Sequence, residues 1–191
     1  MKTVKIIAAS LLCIFLGVCI FGIIRMRIKY PDPVEYVFSV GDVFTFGSYE
    51  ITVKECEAWE LNDFCENYNL TETYSYKLTD FSLNIHCYYV TVNITNIGEE
   101  TAAPELYQMY VGTQTYTSGI DLEFFQVLND GSVEKLCPVL QPGESVEVSL
   151  PYPIAGQNIG FDENDPFDFV PIELTVALYP EKYTVVLNDV D

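Results

Sequence analysis

The first 29 residues constrain the fold most, because they place a long uncharged run between two basic clusters. Lys2 and Lys5 precede the run, residues 6–24 carry no charge, and three basic residues follow between positions 25 and 29. A helix of the 19 uncharged residues is about 28 Å long, close to the roughly 30 Å hydrocarbon core of a bilayer. The pattern predicts an N-terminal transmembrane helix at residues 6–24.

A cleaved signal peptide and a lipoprotein anchor also begin with basic and apolar residues, but this N-terminus fits them less well. A cleaved signal peptide has an apolar region of about 7 to 15 residues and a small-x-small cleavage site, and no Ala-x-Ala pattern follows the apolar run. A lipoprotein would carry its lipid on Cys19, but Val18 stands where a small residue is expected. The prediction is therefore an uncleaved signal anchor, with lipidation of Cys19 as the alternative.

The rest of the chain is strongly acidic. All 28 acidic residues and only four lysines follow Tyr30, so this part has a net charge of about −24. Phosphate binding needs a basic surface, and the charge therefore excludes nucleic acid as a natural partner. It also repels anionic polymers of the membrane and the cell wall. A cationic or neutral partner fits better.

The change in charge divides the chain into segments. They are a short basic N-terminus (residues 1–5), the anchor (6–24), a juxtamembrane linker (25–39) and a β domain (40–191). Pro31 and Pro33 stiffen the linker, because each proline fixes its own φ and biases the preceding residue toward extended conformations. The basic residues nearly balance across the anchor, so the positive-inside rule alone does not decide its orientation.

Beyond the linker, short strand-like runs alternate with turn signals. Residues 43–46 and 49–54 flank Gly47-Ser48 and predict a hairpin. Residues 86–95 predict a central strand. One face of that strand is assigned to Cys87, Tyr89, Val92 and Ile94, with a shift near Val90.

The C-terminal half continues this pattern. Pro142-Gly143 predicts a turn, and strands are expected at residues 145–150, 172–178 and 183–187. Only residues 63–69 and 120–128 could hold a helical turn or two. The succession of strands predicts an all-β fold, an antiparallel immunoglobulin-like β-sandwich.

Three motifs carry a family resemblance. They are Val40-Gly41-Asp42 leading into residues 46–53, then residues 89–98, and then residues 140–146. In this order they resemble the telokin-like, immunoglobulin-type extracellular domains of uncharacterised bacterial proteins, the DUF4352 and DUF5027 types. The resemblance implies an exported β-sandwich held at the membrane by a lipid or a helix. It implies no catalytic residues.

The β domain contains four cysteines, an even number that permits three pairings. They are Cys56, Cys65, Cys87 and Cys137. In an oxidising compartment they favour one or two disulfides. Cys56 with Cys65 is the first pair to expect, because the segment between them is short and starts at a strand end. Zinc is the alternative, but no Cys-x2-Cys spacing is present.

An acidic loop is the candidate metal site. Its oxygen-bearing side chains are Asp162, Glu163, Asn164, Asp165 and Asp168, and hard oxygen ligands are what Ca²⁺ requires. The spacing does not fit the EF-hand pattern, and a domain of this charge carries acidic loops without any ligand. The sequence predicts no cofactor, with Ca²⁺ at residues 162–168 as the alternative.

No catalytic set is evident. His86 is the single histidine, and no Ser/His/Asp arrangement can be assembled around it. We therefore expect no enzyme, but a noncatalytic cell-surface module that binds a protein or an envelope component. The alternative is a Ca²⁺-dependent adhesin or carbohydrate-binding module. In either case we expect a single-pass membrane protein with its C-terminal domain extracellular.

Overall fold

A computed structural model describes residues 2–70, 85–113, 115–159 and 170–188. The chain divides into two compact units, Met1–Val34 and Glu35–Asp191. The first contains helix α1, Lys2–Lys29. Within the described residues, no helix combines the length and the apolar character needed to cross a membrane. This finding runs against the transmembrane anchor predicted at residues 6–24.

The second unit is built from two β-sheets. Among the described residues the strands are β1 (Val34–Ser39), β2 (Val43–Phe46), β3 (Tyr49–Glu60), β4 (Ile85–Asn96), β5 (Tyr110–Gly112), β6 (Thr117–Ser118), β7 (Ser145–Ala155), β8 (Glu173–Ala177) and β9 (Glu181–Val186). One sheet has the order β2-β3-β4-β7 and the other the order β1-β9-β8-β5-β6. Each pair with a defined register is antiparallel. The predicted all-β sandwich is confirmed, and the narrower immunoglobulin-like assignment stays a prediction.

Short helices connect some of the strands. They are α2 (Leu61–Asn67), α3 (Leu122–Leu128), α4 (Gly156–Ile159) and two 3₁₀ helices (Leu106–Gln108 and Val133–Leu136). Helices α2 and α3 confirm the helical turns predicted at residues 63–69 and 120–128. Asp121 caps the N-terminus of α3, because its Oδ1 accepts hydrogen bonds from the backbone N–H groups of Glu123 and Phe124, both at 3.1 Å.

The main core lies between the two sheets. In β4 it receives Tyr88, Val90, Val92 and Ile94, and in β7 it receives Val148, Leu150, Tyr152 and Ile154. Alternate residues of a strand point to opposite faces, so these two sets form one continuous apolar surface. Leu174 and Val185 face it from the five-stranded sheet. Burial of this surface is the main force that holds the sheets together.

The face assignment predicted for β4 is wrong for Cys87 and Tyr89. The register of β4 against β7 is unbroken, so Tyr88 shares a face with Val90 and Val92, while Cys87 faces the other way. The irregularity lies instead in β3, between Val53 and Glu55. A bulge shifts the alternation of the strand that contains it, and the shift therefore belongs to β3 rather than to β4.

Both predicted tight turns are confirmed. Gly47 has φ of 59° in the two-residue loop between β2 and β3. Gly143 has φ of 79°, and the N–H of Glu144 donates to the carbonyl of Gln141 at 2.9 Å. A proline at the second position and a positive φ at the third are the features of a type II turn.

Residues 34–39, predicted as part of the linker, form β1 at the edge of the five-stranded sheet. Aromatic packing explains the difference. Phe38 stacks on Phe44 of β2 with 4.2 Å between the ring centroids, and Tyr36 lies 4.9 Å from the ring of Tyr183 in β9. The Phe38–Phe44 contact joins one edge of the five-stranded sheet to the corresponding edge of the other sheet, and the Tyr36–Tyr183 contact holds β1 against β9.

Strand β7 runs five residues beyond the predicted end at Leu150. Pro151 and Pro153 would normally end a strand because they lack an N–H group, but edge strands accept them where that position faces away from the sheet. The carbonyl of Pro151 accepts from the N–H of Asp121, and that of Pro153 accepts from the hydroxyl of Ser118. Both residues therefore direct their backbone polar groups away from β4.

Asn129 protects the same edge of β7. Its side-chain amide donates to the carbonyl of Ser149 at 2.8 Å and accepts from the N–H of Ser149 at 3.2 Å. It also donates to the carbonyl of Phe125 at 2.9 Å. Asn129 is 3% exposed, so its amide takes the place that a neighbouring strand would occupy and blunts the edge.

Tyr152 is fully buried, and its hydroxyl has no hydrogen-bond partner within the described part of the chain. Burial raises the pKa of this hydroxyl well above its usual range. An unsatisfied buried hydroxyl destabilises the folded state. We expect Tyr152→Phe to raise the free energy of unfolding by about 1 kcal/mol, measured by urea denaturation.

Tyr89→Phe is the matched control for that prediction. The hydroxyl of Tyr89 lies 2.9 Å from Oγ of Ser149, so its removal loses a hydrogen bond and should lower the free energy of unfolding. A fall in stability for both variants would show that the Tyr152 hydroxyl has a stabilising partner.

Candidate functional site

A pocket opens between the two sheets at one end of the sandwich. Its volume is about 500 Å³, which is within the range of natural ligand sites. Ile51, Met109 and Val176 form a buried floor, and each is at most 8% exposed. The rim carries Leu178 and Tyr179, which are 52% and 57% exposed. We refer to this feature as the sheet-end pocket.

In the part of the chain that the structure describes, three segments distant in sequence build the sheet-end pocket. The hairpin of β2 and β3 supplies Phe46 and Tyr49, and the end of β8 supplies Val176. The third wall is the segment of residues 103–109, which Leu106 anchors by a fully buried side chain in the main core. Because Leu106 points inward, its neighbours in the 3₁₀ turn face the pocket and the solvent.

Among the described residues, one carboxylate, that of Glu105, lines the pocket. Glu105 is exposed and accepts a hydrogen bond from the side-chain amide of Gln108. Burial raises the pKa of the Tyr49 hydroxyl, a hydrogen bond with Ser48 opposes this shift, and the nearby charge of Glu105 adds to it. Tyr49 therefore remains a neutral phenol near pH 7, able to donate a hydrogen bond beside a negative charge.

A cluster of aromatic rings supports one wall of the pocket. The ring of Tyr183 lies 5.2 Å from that of Phe46, 6.1 Å from that of Phe44 and 6.2 Å from that of Phe38. Rings at these separations attract each other beyond the effect of burial alone. The cluster fixes the hairpin that carries Phe46 and Tyr49, so this wall is formed in advance of any ligand.

The structure places the four predicted disulfide cysteines in three different environments. Cys56 lies in β3 at the margin of the main core. Burial, and to a smaller extent the charge of Glu57, raise the pKa of its thiol to about 12. Cys137 is exposed after the second 3₁₀ helix. Cys65 and Cys87 are both fully buried in a second apolar cluster. The described residues form no disulfide.

The expected pairing of Cys56 with Cys65 is opposed by the sheet itself. Cys56 lies opposite Val90 in the register of β3 with β4, and Val90 faces the main core. Trp59 lies opposite Cys87, on the other face. Since directly opposed residues share a face, the four-stranded sheet stands between Cys56 and the cluster that contains Cys65.

The other predicted site residues have different outcomes. Asp162, Glu163, Asn164, Asp165 and Asp168 lie outside the described residues, so the Ca²⁺ prediction stays a prediction. Within the described ranges, no group of three or more His, Cys, Asp or Glu side chains could hold a metal ion. Cys19 is exposed on α1, and His86 is 9% exposed within β4.

Sequence reasoning missed the sheet-end pocket. Its lining residues come from three separate segments, and each of them fits an ordinary strand or loop pattern. The available signal was Leu178-Tyr179, two large apolar residues directly after a strand. Exposed apolar residues are common on protein surfaces, so these two do not by themselves mark an interaction site.

The comparisons with solved structures give remote similarities. They include the YjhA protein of Bacillus subtilis (13% identity, TM-score 0.46, 79% of this chain and 99% of that one) and an uncharacterised β-sandwich protein of Clostridium difficile 630 (11%, 0.47, 82% and 97%). A functionally unknown protein of Listeria monocytogenes EGD-e is similar at 13% identity and a TM-score of 0.46, over 79% of this chain and 82% of that chain. The search of curated proteins gave no match.

A family match covers most of the β domain. The DUF4352 and DUF5027 types, which the sequence motifs resemble, are not confirmed by it. The matched region begins in β1 and ends in β9, and it therefore includes both sheets and the sheet-end pocket. The chain belongs to the family described as "Domain of unknown function (DUF5028)", which matches residues 38–183.

Proposed function

We propose that the β domain is a noncatalytic binding module, which holds an apolar side chain of a basic protein segment in the sheet-end pocket. The observation that carries this proposal is a buried apolar floor with two large apolar residues exposed beside it. The rim residues Leu178 and Tyr179 each leave more than half of their surface open to solvent. Exposed apolar surface around a concave site is typical of an interaction site.

Charge favours a basic partner. The chain after Tyr30 carries 28 acidic residues against four lysines, and Glu105 places one carboxylate at the pocket. A field of this sign attracts cations and accelerates their association. A Lys or Arg next to the bound apolar side chain would lie close to Glu105 and would gain a charge-assisted contact.

The chemistry of the pocket floor favours an apolar side chain over a sugar. The floor residues Ile51, Met109 and Val176 have no polar side-chain atoms that could pair with hydroxyl groups. Burying an unpaired sugar hydroxyl against them would be unfavourable. The pocket volume of about 500 Å³ accommodates one or two large apolar side chains, while the rest of the partner segment crosses the rim.

The cell surface is the proposed site of action. Its support comes from the sequence, in which basic residues flank an apolar N-terminal run and three motifs resemble extracellular domains. A partner at the cell surface would be a protein of the envelope or of a neighbouring cell.

The test is a selection of displayed random peptides on the full chain held in detergent micelles. We expect the enriched peptides to contain a large apolar residue next to Lys or Arg. Leu178→Asp should weaken their binding at least tenfold, about 1.4 kcal/mol, because it places a charge on the apolar rim. Glu105→Gln should weaken binding less and should reduce its dependence on salt.

Leu122→Asp is the matched control. Leu122 is 56% exposed, close to the 52% of Leu178, but it begins α3 and does not line the pocket. Its replacement should leave peptide binding unchanged. Equal loss of binding in the two variants, or enrichment without an apolar-basic pattern, would contradict the proposal.

A further inference from the structure

The second apolar cluster lies on the outer face of the four-stranded sheet and contains two cysteines. Its buried members are Leu61, Phe64, Cys65, Leu70, Cys87 and Phe124. We refer to it as the minor core. Cys65 and Cys87 each have no exposed surface. Among the described residues the cluster has six buried members, so the two fully buried thiols lie among the same few side chains.

The local structure explains why these two cysteines share a cluster. Helix α2 begins directly after β3 ends at Glu60, and Trp59 lies opposite Cys87 in the adjacent strand. The first turns of α2 therefore return over the end of β4 that carries Cys87. The N–H of Leu70 donates to the carbonyl of Cys65 at 2.7 Å, which folds the chain after α2 onto the same cluster.

The other two cysteines of the β domain are placed elsewhere. Cys56 points to the main core, on the opposite face of the four-stranded sheet. Cys137 is exposed beside Val139 and the second 3₁₀ helix, outside the minor core. A disulfide requires Cα atoms within about 4.4 to 6.8 Å of each other. Membership of one small cluster meets this requirement more readily than positions on opposite faces of a sheet.

We propose that Cys65 and Cys87 form the disulfide of this domain. In the reaction the two thiols lose two protons and two electrons as the S–S bond forms. A small-molecule disulfide such as oxidised glutathione accepts them, its own S–S bond breaks, and it leaves as two thiols. The bond would join α2 to β4 and close a loop of about twenty residues, which restricts the unfolded chain.

The minor core would protect the bond once it is formed. Thiol–disulfide exchange requires a thiolate to reach one of the two sulfur atoms, and both cysteines are fully buried. Phe64 packs against Phe124 of α3 with 5.1 Å between ring centroids, which closes the cluster from that side. Reductants would therefore reach the bond mainly after local unfolding of α2.

The test is to refold the full chain in detergent micelles with a glutathione redox buffer, alkylate the remaining thiols and map the linked peptides by mass spectrometry. We expect Cys65 linked to Cys87, with Cys56 and Cys137 alkylated after denaturation. The oxidised protein should melt roughly 5 to 10 °C above the reduced protein.

The variants Cys65→Ala and Cys87→Ala should abolish the difference in melting temperature between oxidising and reducing buffers, and Cys137→Ala should retain it. Because each variant is compared with itself in two buffers, a change in its intrinsic stability does not affect the result. A link from Cys65 to Cys56 or Cys137, or six free thiols after refolding with oxidised glutathione, would overturn the proposal.

Discussion

Gly112→Ala is expected to lower the free energy of unfolding by about 3 kcal/mol. A Cβ atom at this position would lie 2.3 Å from the carbonyl oxygen of Tyr116 and 3.0 Å from Cα of Thr117. Both are backbone atoms, so neither can move away by a simple side-chain rotation. The Tyr116 carbonyl also accepts the N–H of Thr113 at 2.8 Å, and a shift would break this bond.

The Gly112→Ala substitution should also weaken the contact between the two sheets, because it displaces β6. Gly112 pairs with Thr117 of β6, and Ser118 of β6 donates from its hydroxyl to the carbonyl of Pro153 at 2.8 Å. Displacing β6 would therefore weaken a link to β7, and thus a connection between the two sheets. Thermal and urea denaturation of the full chain in detergent would measure the loss.

Gly119→Ala is the control for this prediction. No atom lies within 4 Å of a Cβ built at Gly119, and its φ is outside the left-handed region. Alanine there should leave stability unchanged or raise it slightly, because it reduces the freedom of the unfolded chain. Equal losses at the two positions would mean that the close approach at Gly112 is not what determines the effect.

Asn129→Ala is expected to lower the free energy of unfolding by a similar amount, about 3 kcal/mol. The change removes three hydrogen bonds and leaves the N–H and the carbonyl of Ser149 without the partners that Asn129 provides. Asn129 is almost completely buried, and unsatisfied polar groups in such places are costly. The variant should also aggregate more readily, because the edge of β7 loses its cover.

Asn62→Ala is the matched control, because Asn62 is an exposed asparagine. It lies in α2, and alanine there should be neutral or slightly stabilising, because alanine favours a helix more than asparagine does. Urea denaturation of the two variants separates the loss of the buried amide from any general effect of replacing asparagine. A stable Asn129→Ala protein would show that water or another group satisfies Ser149.

The strands and tight turns could be predicted from the sequence because they depend on neighbouring residues. Gly47 and Gly143 occupy positions of positive φ that other residues rarely adopt, and each turn is specified by its own few residues. The alternation in β7 and β8 likewise follows from the requirement that one face be buried. The type of fold was therefore accessible from local pattern alone.

The alternation of apolar and polar residues did not predict the correct end of β7 or the correct faces of β4. Pro151 and Pro153 favour a strand end by local rules, but they are accepted because β7 is an edge strand, and the order of strands is a property of the whole sheet. The faces of β4 depend on which strand contains the bulge, and the register of β3 against β4 decides that.

The sequence by itself determined the all-β class, the positions of the turns and the strong segregation of charge, since these depend on residue types and their spacing. Only the tertiary structure decided which cysteines share a cluster and which residues form the sheet-end pocket. Cys56 and Cys65 are close in sequence, but they are associated with different cores. The physical reason is that a sheet has two faces, and contacts between distant segments, formed as apolar surface is buried, decide what covers each of them.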